Sequence, residues 1–256
     1  MKIARLRSLL TQFFWLVMRV GSLVIGRRGL KFRVEGVEHI PHSGPVLIAA
    51  HHFHYFYDGY ILVRTVPRRL HTIVALDWLQ AQYLRRLIEL CCFLADWPVI
   101  LRPERLQERV ENGRWVYQQR DGRRYLRKVM QSAVRLLRSG EVLVIFPEGY
   151  PNIDLHPTPK PDLTATLPFR PGFIRMVERT ERDGRTRVAI VPVGLIYVKE
   201  HGNRWQATAR FGPALYLSDF ASTEEARLAV EECVQVLSRA ALPAEARELP
   251  ENPLLS

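Results

Sequence analysis

Apolar and polar positions along the chain fall into two periods. Residues 30–37 (LKFRVEGV) alternate, the period of a strand with one buried face. Residues 45–50 (PVLIAA), 141–146 (EVLVIF) and 188–193 (VAIVPV) are short unbroken apolar runs, the pattern of strands buried on both faces. Residues 71–76 and 97–101 (WPVIL) read as two more strands of the core, and residues 205–211 as a last strand at a sheet edge. Between them the period lengthens to that of a helix. Helices are expected over 58–65, over 80–92 with Tyr83, Leu84, Leu87 and Leu90 or Cys91 on the apolar side, and over 104–139. In that last helix Leu126, Val129, Met130, Ala133, Leu136 and Leu137 share a face, and Gly140 is a natural stop. A further helix is expected over 172–179. Ser222 with Glu225 opens another as a capping box, running to about residue 241.

Strands alternating with helices predict an α/β fold with a mixed, largely parallel central sheet flanked by helices. The sequence shows no internal repeat. Its expected organisation is an N-terminal helical appendage over 1–28, one α/β domain over 29–243, and a loose tail over 244–256.

The N-terminal segment is basic at both ends and apolar between. Its longest uncharged stretch, residues 8–18, ends at Arg19 and falls short of the roughly 20 apolar residues a membrane span needs. On a helical projection Leu6, Leu9, Leu10, Phe13, Val17, Val20 and Val24 gather on one side, opposite Ser8, Gln12, Arg19 and Ser22. That is the pattern of an amphipathic helix lying in the headgroup boundary, with arginines reaching outward. The same stripe also suits packing on the protein's own core.

Composition changes this picture in one respect. Hydrophobic residues are 47% and charged residues 25%, ordinary for a globular protein and incompatible with disorder. Charge is not ordinary: 37 Lys and Arg against 26 Asp and Glu leave +11, a field that attracts nucleic acid, anionic lipid or a phosphorylated substrate. The three cysteines, Cys91, Cys92 and Cys233, have neither the number nor the spacing of a disulfide framework or a zinc site, and fit a reducing compartment.

In a sheet of this kind reactive groups collect at the C-terminal ends of strands. Four such ends carry chemistry here: His51, His52, Phe53 and His54 with Asp58; Arg102; Phe146, Pro147, Glu148 and Gly149; and Pro192, Val193 and Gly194. A histidine beside an aspartate is the usual device for activating a hydroxyl, with the imidazole as base and the carboxylate fixing its tautomer. Both His52 and His54 are within reach of Asp58. His54 and Asp58 also fit a surface i,i+4 pair. A zinc site from His51, His52, His54 and Asp58 is disfavoured, because neighbours on an extended strand point to opposite faces. A nucleic-acid binder would explain the charge and the arginines between 102 and 138, but that stretch also holds acids and no nucleic-acid-binding motif.

The order of these sites resembles a known family. AAHHFHYFYDGYIL, WPVILRPE, VLVIFPEGYPN and VAIVPVGL look like the four ordered blocks of the glycerolipid (lysophosphatidic acid) acyltransferase superfamily, over about residues 37–197. The first and third blocks are the specific ones. The resemblance implies that His52 is the general base and Asp58 its orienting partner. The spacing departs from the usual one: five residues separate His52 from Asp58, whereas four are customary. Arg102 then matches an arginine that helps bind the substrate phosphate. Phe146, Pro147, Glu148 and Gly149 match the substrate-binding third block, which in the family continues Thr-Arg-Ser and here reads Tyr150, Pro151 and Asn152. With that arginine missing, Arg170 and Arg175 are further candidates for the phosphate, and His54 stays a candidate beside His52. Pro192 matches a structural proline.

The implied reaction is direct transfer of a fatty-acyl group from acyl-CoA or acyl carrier protein to a lipid hydroxyl in phospholipid biosynthesis, with no metal and no cofactor. The expected acceptor is 1-acylglycerol-3-phosphate, giving phosphatidic acid. Glycerol-3-phosphate or a non-phosphate lipid are the alternatives, and the altered third block keeps the last of these open. The expected setting is the cytoplasmic face of a membrane, held from one side.

Overall fold

A computed structural model describes residues 11–13, 15–17, 19–20, 22, 30–79, 81–106, 117, 119–200 and 204–239. Most of the expected N-terminal segment, part of the long helix expected from residue 104, and the whole expected tail over 244–256 lie outside the described residues.

Eight strands and five helices carry the described fold: β1 (Leu30–Glu35), β2 (Val46–Ala50), α1 (Tyr57–Thr65), β3 (Leu70–Thr72), β4 (Val74–Ala75), α2 (Gln82–Ala95), β5 (Val99–Ile100), α3 (Gln119–Arg138), β6 (Val142–Ile145), α4 (Gly172–Glu181), β7 (Ala189–Lys199), β8 (Trp205–Phe211) and α5 (Thr223–Ser238). Six strands form the main sheet in the order β1-β8-β7-β2-β6-β3. Every neighbouring pair in it is parallel except β7 with β8. The expected mixed, largely parallel sheet flanked by helices is therefore the fold.

Strand parity decides what lies on each face. In β2 the side chains of Val46, Ile48 and Ala50 join Val142, Val144, Val191 and Val193 under α1, which contributes Ile61 and Leu62. Leu47 and Ala49 face the other way, with Leu143 and Ile190, into a layer built from Leu136 of α3, Phe173 and Val177 of α4, and Val230 and Val234 of α5. Both faces of β2 are dry, which is why it reads as an unbroken apolar run. The end of such a strand is held from both sides, a rigid place for reactive groups.

Several sequence expectations are corrected. β8 is not an edge strand: β1 pairs with its outer side, and β1 is the edge. The run 71–76 is not one strand. Its first part is β3 of the main sheet; after Ile73 the chain turns away, and β4 pairs with β5 in a separate two-stranded sheet. Residues 97–101 consequently supply only the short, half-buried β5 rather than a core strand of the main sheet. β7 runs past the expected residue 193 to Lys199, because β8 continues to pair with it. Gly194 interrupts the apolar pattern for a steric reason: a Cβ there would stand 2.2 Å from the main-chain carbon of Leu237, so only glycine lets α5 lie against the strand.

Gly140, at φ 75°, ends α3 as expected, and Ser222 accepts from the Glu225 N–H to start α5. Within α3 Val129, Ala133, Leu136 and Leu137 are buried, while Leu126 faces outward. On α2 the expected apolar side is turned out: Tyr83, Leu87 and Leu90 are exposed together with Phe93. Of the expected side only Leu84 faces the protein, with Ile88 and Cys92. Cys91, Cys92 and Cys233 are free, and burial pushes the Cys92 thiol up to about 12, which keeps it protonated and unreactive.

Candidate active site

β2 ends at Ala50, and the next two side chains keep its alternation. His51 turns to the α3–α4 side and its Nδ1 lies 2.6 Å from Glu148 Oε1. His52 turns to the α1 side and its Nδ1 lies 2.8 Å from Asp58 Oδ2. Parity therefore sends adjacent histidines to different carboxylates, and the two rings never share a centre. No group of three or more His, Cys, Asp or Glu among the described residues is arranged to hold a metal ion.

Asp58 is fully buried in the first turn of α1. Its Oδ2 also accepts the main-chain N–H groups of Phe53 at 2.7 Å and His54 at 2.9 Å. Its Oδ1 accepts the Tyr197 hydroxyl at 2.7 Å. Donors on both oxygens leave the carboxylate one orientation. Because an ionised carboxylate only accepts, His52 donates from Nδ1, and Nε2 carries the lone pair. The imidazole also stacks on Phe146, with centroids 4.2 Å apart. Its side chain keeps 16% of its exposure, enough for a substrate hydroxyl to reach the ring.

His54 has a different task. Its Nδ1 accepts the N–H groups of Phe56 at 3.2 Å and Tyr57 at 3.3 Å, at the start of α1. Burial lowers its pKa, although Asp58 acts in the opposite direction. A ring that accepts at Nδ1 is neutral, in keeping with that shift. The side chain of His54 makes no pair with Asp58; only its main chain does.

The turn after β6 supplies the second half of the site. Glu148 is 1% exposed. Besides His51 it accepts the His52 N–H at 3.1 Å and the Leu167 N–H at 3.0 Å, and it pairs with Lys160 Nζ at 2.7 Å. Burial opposes its ionisation, but His51 and Lys160 outweigh that and hold the carboxyl at about 2. Glu148 thus fastens the histidine-bearing loop rather than facing the solvent. Gly149, at φ 78°, donates its N–H to the Phe146 carbonyl, and its own carbonyl accepts from Arg102 Nη1. Pro147 is buried and its carbonyl accepts the Arg170 N–H.

Arg102 is buried and largely committed. Nε and Nη2 bind Asp77, Nη1 binds the Gly149 carbonyl, and the guanidinium lies 4.3 Å from the centre of the Tyr150 ring. Arg105 and Arg170 approach the same ring, at 5.4 and 5.5 Å. Both line a cavity of about 750 Å³ with Glu104, Glu148, Tyr150 and Leu167. Arg170 pairs with Glu104 but keeps nearly half of its side chain exposed. Arg175 is exposed on α4.

Sequence reasoning missed Tyr197, Asp77 and Lys160. Tyr197 lies on the same face of β7 as Leu195, one strand period on, so a longer β7 would have pointed to it. Nothing local marks Lys160, which sits in a proline-rich stretch.

The Acyltransferase family model matches residues 31–196, more than half of the chain. The fold is similar to the crystal structure of PlsC, the 1-acyl-sn-glycerophosphate (LPA) acyltransferase from Thermotoga maritima. The TM-score is 0.56 and the identity 16%, over 93% of this chain and 84% of that one. At that identity the likeness establishes the fold alone. No curated protein matches.

Proposed function

The chain belongs to the Acyltransferase family, and from that premise we propose that it moves a fatty-acyl group from a thioester carrier, acyl-CoA or acyl carrier protein, to the hydroxyl of a lysophospholipid, with 1-acylglycerol-3-phosphate as the acceptor. The observation that carries the reading is the buried Asp58 holding His52 with Nε2 free. His52 Nε2 takes the hydroxyl proton as the oxygen attacks the thioester carbonyl. The tetrahedral intermediate collapses, the C–S bond breaks, and the proton passes from His52 to the leaving sulfur. Neither a serine nor a cysteine nucleophile stands beside the histidine in the loop, so transfer is direct. The Gly59 N–H, in the first turn of α1, has no acceptor among the described residues and is a donor for the oxyanion.

Because Arg102 is spent on Asp77, Gly149 and Tyr150, the acceptor phosphate falls to Arg170, with Arg105 beside it. Arg102 supports them by fixing the Tyr150 ring. Purified protein with labelled palmitoyl-CoA and 1-acylglycerol-3-phosphate should form phosphatidic acid. Arg170→Ala should raise KM for this acceptor about tenfold and leave a neutral monoacylglycerol unaffected. Equal loss on both acceptors would remove Arg170 from phosphate recognition. A second reading, transfer to a non-phosphate lipid, is favoured by the lack of an arginine in the third block; preference for the neutral acceptor in the same assay would select it.

We also propose that the protein works from the cytoplasmic face of a membrane, held on one side. No helix among the described residues is long and apolar enough to cross. The described residues from 11 to 22 are helical, and Phe13, Leu16, Val17 and Val20 are exposed on them, with Phe13 at 66%. The outward face of α2 adds Tyr83, Leu87, Leu90 and Phe93, with Arg86 exposed among them. Its one acid, Glu89, is turned to Arg85, Tyr117 and Tyr125. Two apolar faces with cations and no exposed acid suit an anionic bilayer. Phe13→Ser with Val17→Ser, and separately Leu87→Ser with Leu90→Ser, should each weaken sedimentation with anionic liposomes several-fold. Unchanged sedimentation of both double variants would refute this setting.

A further inference from the structure

We infer that Lys160 is a positioning residue for the base: its buried ammonium pins the His52 main chain and offsets the carboxylates bound to the ring and main chain of His52, keeping His52 free to accept a proton. This rests on the reading of His52 as the base.

The Lys160 side chain has no exposure. Its Nζ stands 2.7 Å from Glu148 Oε2, 2.8 Å from the His52 carbonyl oxygen and 2.9 Å from Asn152 Oδ1. An ammonium has three N–H groups and no lone pair, and here three acceptors meet it, so the site is built for the charged form. One of the three contacts lies on the main chain of the reactive histidine itself. Asn152 continues the connection: its amide donates to the carbonyls of Asp162 and Ala165, so the proline-rich loop is folded around this lysine.

A loop fastener alone would not need to stand between two carboxylates. Burial lowers the Lys160 pKa, and Glu148, which touches it, and Asp58 both act against that to favour the ammonium. The charged and titratable groups that bond to the ring or main chain of His52, or act on those that do, are these. From α1 comes Asp58; from the turn after β6, Glu148; from the proline-rich loop, Lys160. From its own loop come His51, bound to Glu148, and His54, the cap of α1, on which Asp154 acts in turn. From β7 comes the Tyr197 phenol, bound to Asp58 and held neutral, since burial pushes its pKa well above the ordinary value. Two carboxylates are thus set against one lysine. Take the lysine away and the two carboxylates, left without its positive charge, stabilise the imidazolium more strongly. A protonated base accepts nothing.

The test compares the pH dependence of kcat/KM for wild type, Lys160→Met, Lys160→Arg and Glu148→Gln, with the His52 ring followed by NMR titration in each. In Lys160→Met the acid limb should move up by about one pH unit or more, a loss of about tenfold below the limb, with KM for the acyl donor unchanged. Lys160→Arg should keep the limb near the wild-type position. Glu148→Gln, which leaves the cation and removes an anion, should move it down; this opposite shift stands even if Lys160→Met fails to fold. The ring titration should move with the limb in every variant. A wild-type limb and ring titration in the methionine and glutamine variants, at whatever rate, would reduce Lys160 to a fastener of the loop. If the ring titration shifts as stated but wild type shows no transfer that depends on His52, the charge balance stands and the acyl-transfer reading fails.

Discussion

His52→Ala is expected to lower kcat/KM for acyl transfer by about 10²–10⁴-fold, and Asp58→Asn by a similar factor, while His54→Ala keeps most of the activity. The three variants separate groups that sequence spacing leaves equivalent. His52 alone combines a carboxylate on Nδ1 with partial exposure of the ring. His54 spends its Nδ1 on the first turn of α1, so its loss costs helix capping, on the order of 1 kcal/mol of stability, rather than a proton acceptor. Asp58→Asn is the sharper of the two losses to interpret. An asparagine oxygen can still accept from the Phe53 and His54 main chains, and its amide can donate to the Tyr197 oxygen, so the loop survives. What disappears is the negative charge that stabilises the imidazolium formed as the hydroxyl attacks. Circular dichroism and the melting temperature should stay close to wild type in this variant while turnover collapses. An active His52→Ala enzyme, or an inactive His54→Ala enzyme with an unchanged melting temperature, would move the base to His54.

The part of this site visible in the sequence is the part that obeys local rules. β2 reads as a doubly buried strand because six apolar residues run without a break, and parity then sends His51 and His52 to opposite faces before any partner is known. The pairing of Asp58 with the nearer strand end follows from an aspartate in the first turn of a helix. Partners chosen across the chain leave no such trace. Lys160 is 108 positions from the carbonyl it holds, and Tyr197 139 positions from Asp58. Arg102 reads as a free guanidinium because nothing in the sequence signals that Asp77 arrives beside it from the small second sheet. The helix α2 shows the same limit in another form. A period of 3.6 locates an apolar stripe but not the direction it faces, and Tyr83, Leu87 and Leu90 point out of the fold. The place of β8 is hidden for a related reason: its pattern of alternation is that of a half-buried strand, and only the parallel pairing with β1 makes it internal.

Glu148→Ala is expected to have the largest effect on stability, about 3–5 kcal/mol in chemical denaturation, together with loss of activity. The carboxylate gathers His51, the His52 and Leu167 main chains, and Lys160 onto one buried point. Alanine would leave an ammonium without exposure and without its counter-charge, which costs more than the pair itself contributes. The loop from Tyr150 to Leu167 should then open first, read as faster amide exchange there than in β2 or β6. The same carboxyl links stability to pH. Its folded value of about 2 lies below the ordinary 4.5, and so does that of Glu141, where His71 and Arg69 outweigh burial to hold it at about 2. Groups depressed in this direction contribute fully above about pH 4.5, and their contribution drains away as pH falls towards 2. Wild type should therefore lose stability steeply across that interval. Glu148→Ala should start lower and fall less, because one of the carboxylates that drive the loss is absent. Parallel curves for the two proteins would show that Glu148 is not held ionised by its neighbours, and the fastening role assigned to it would fall.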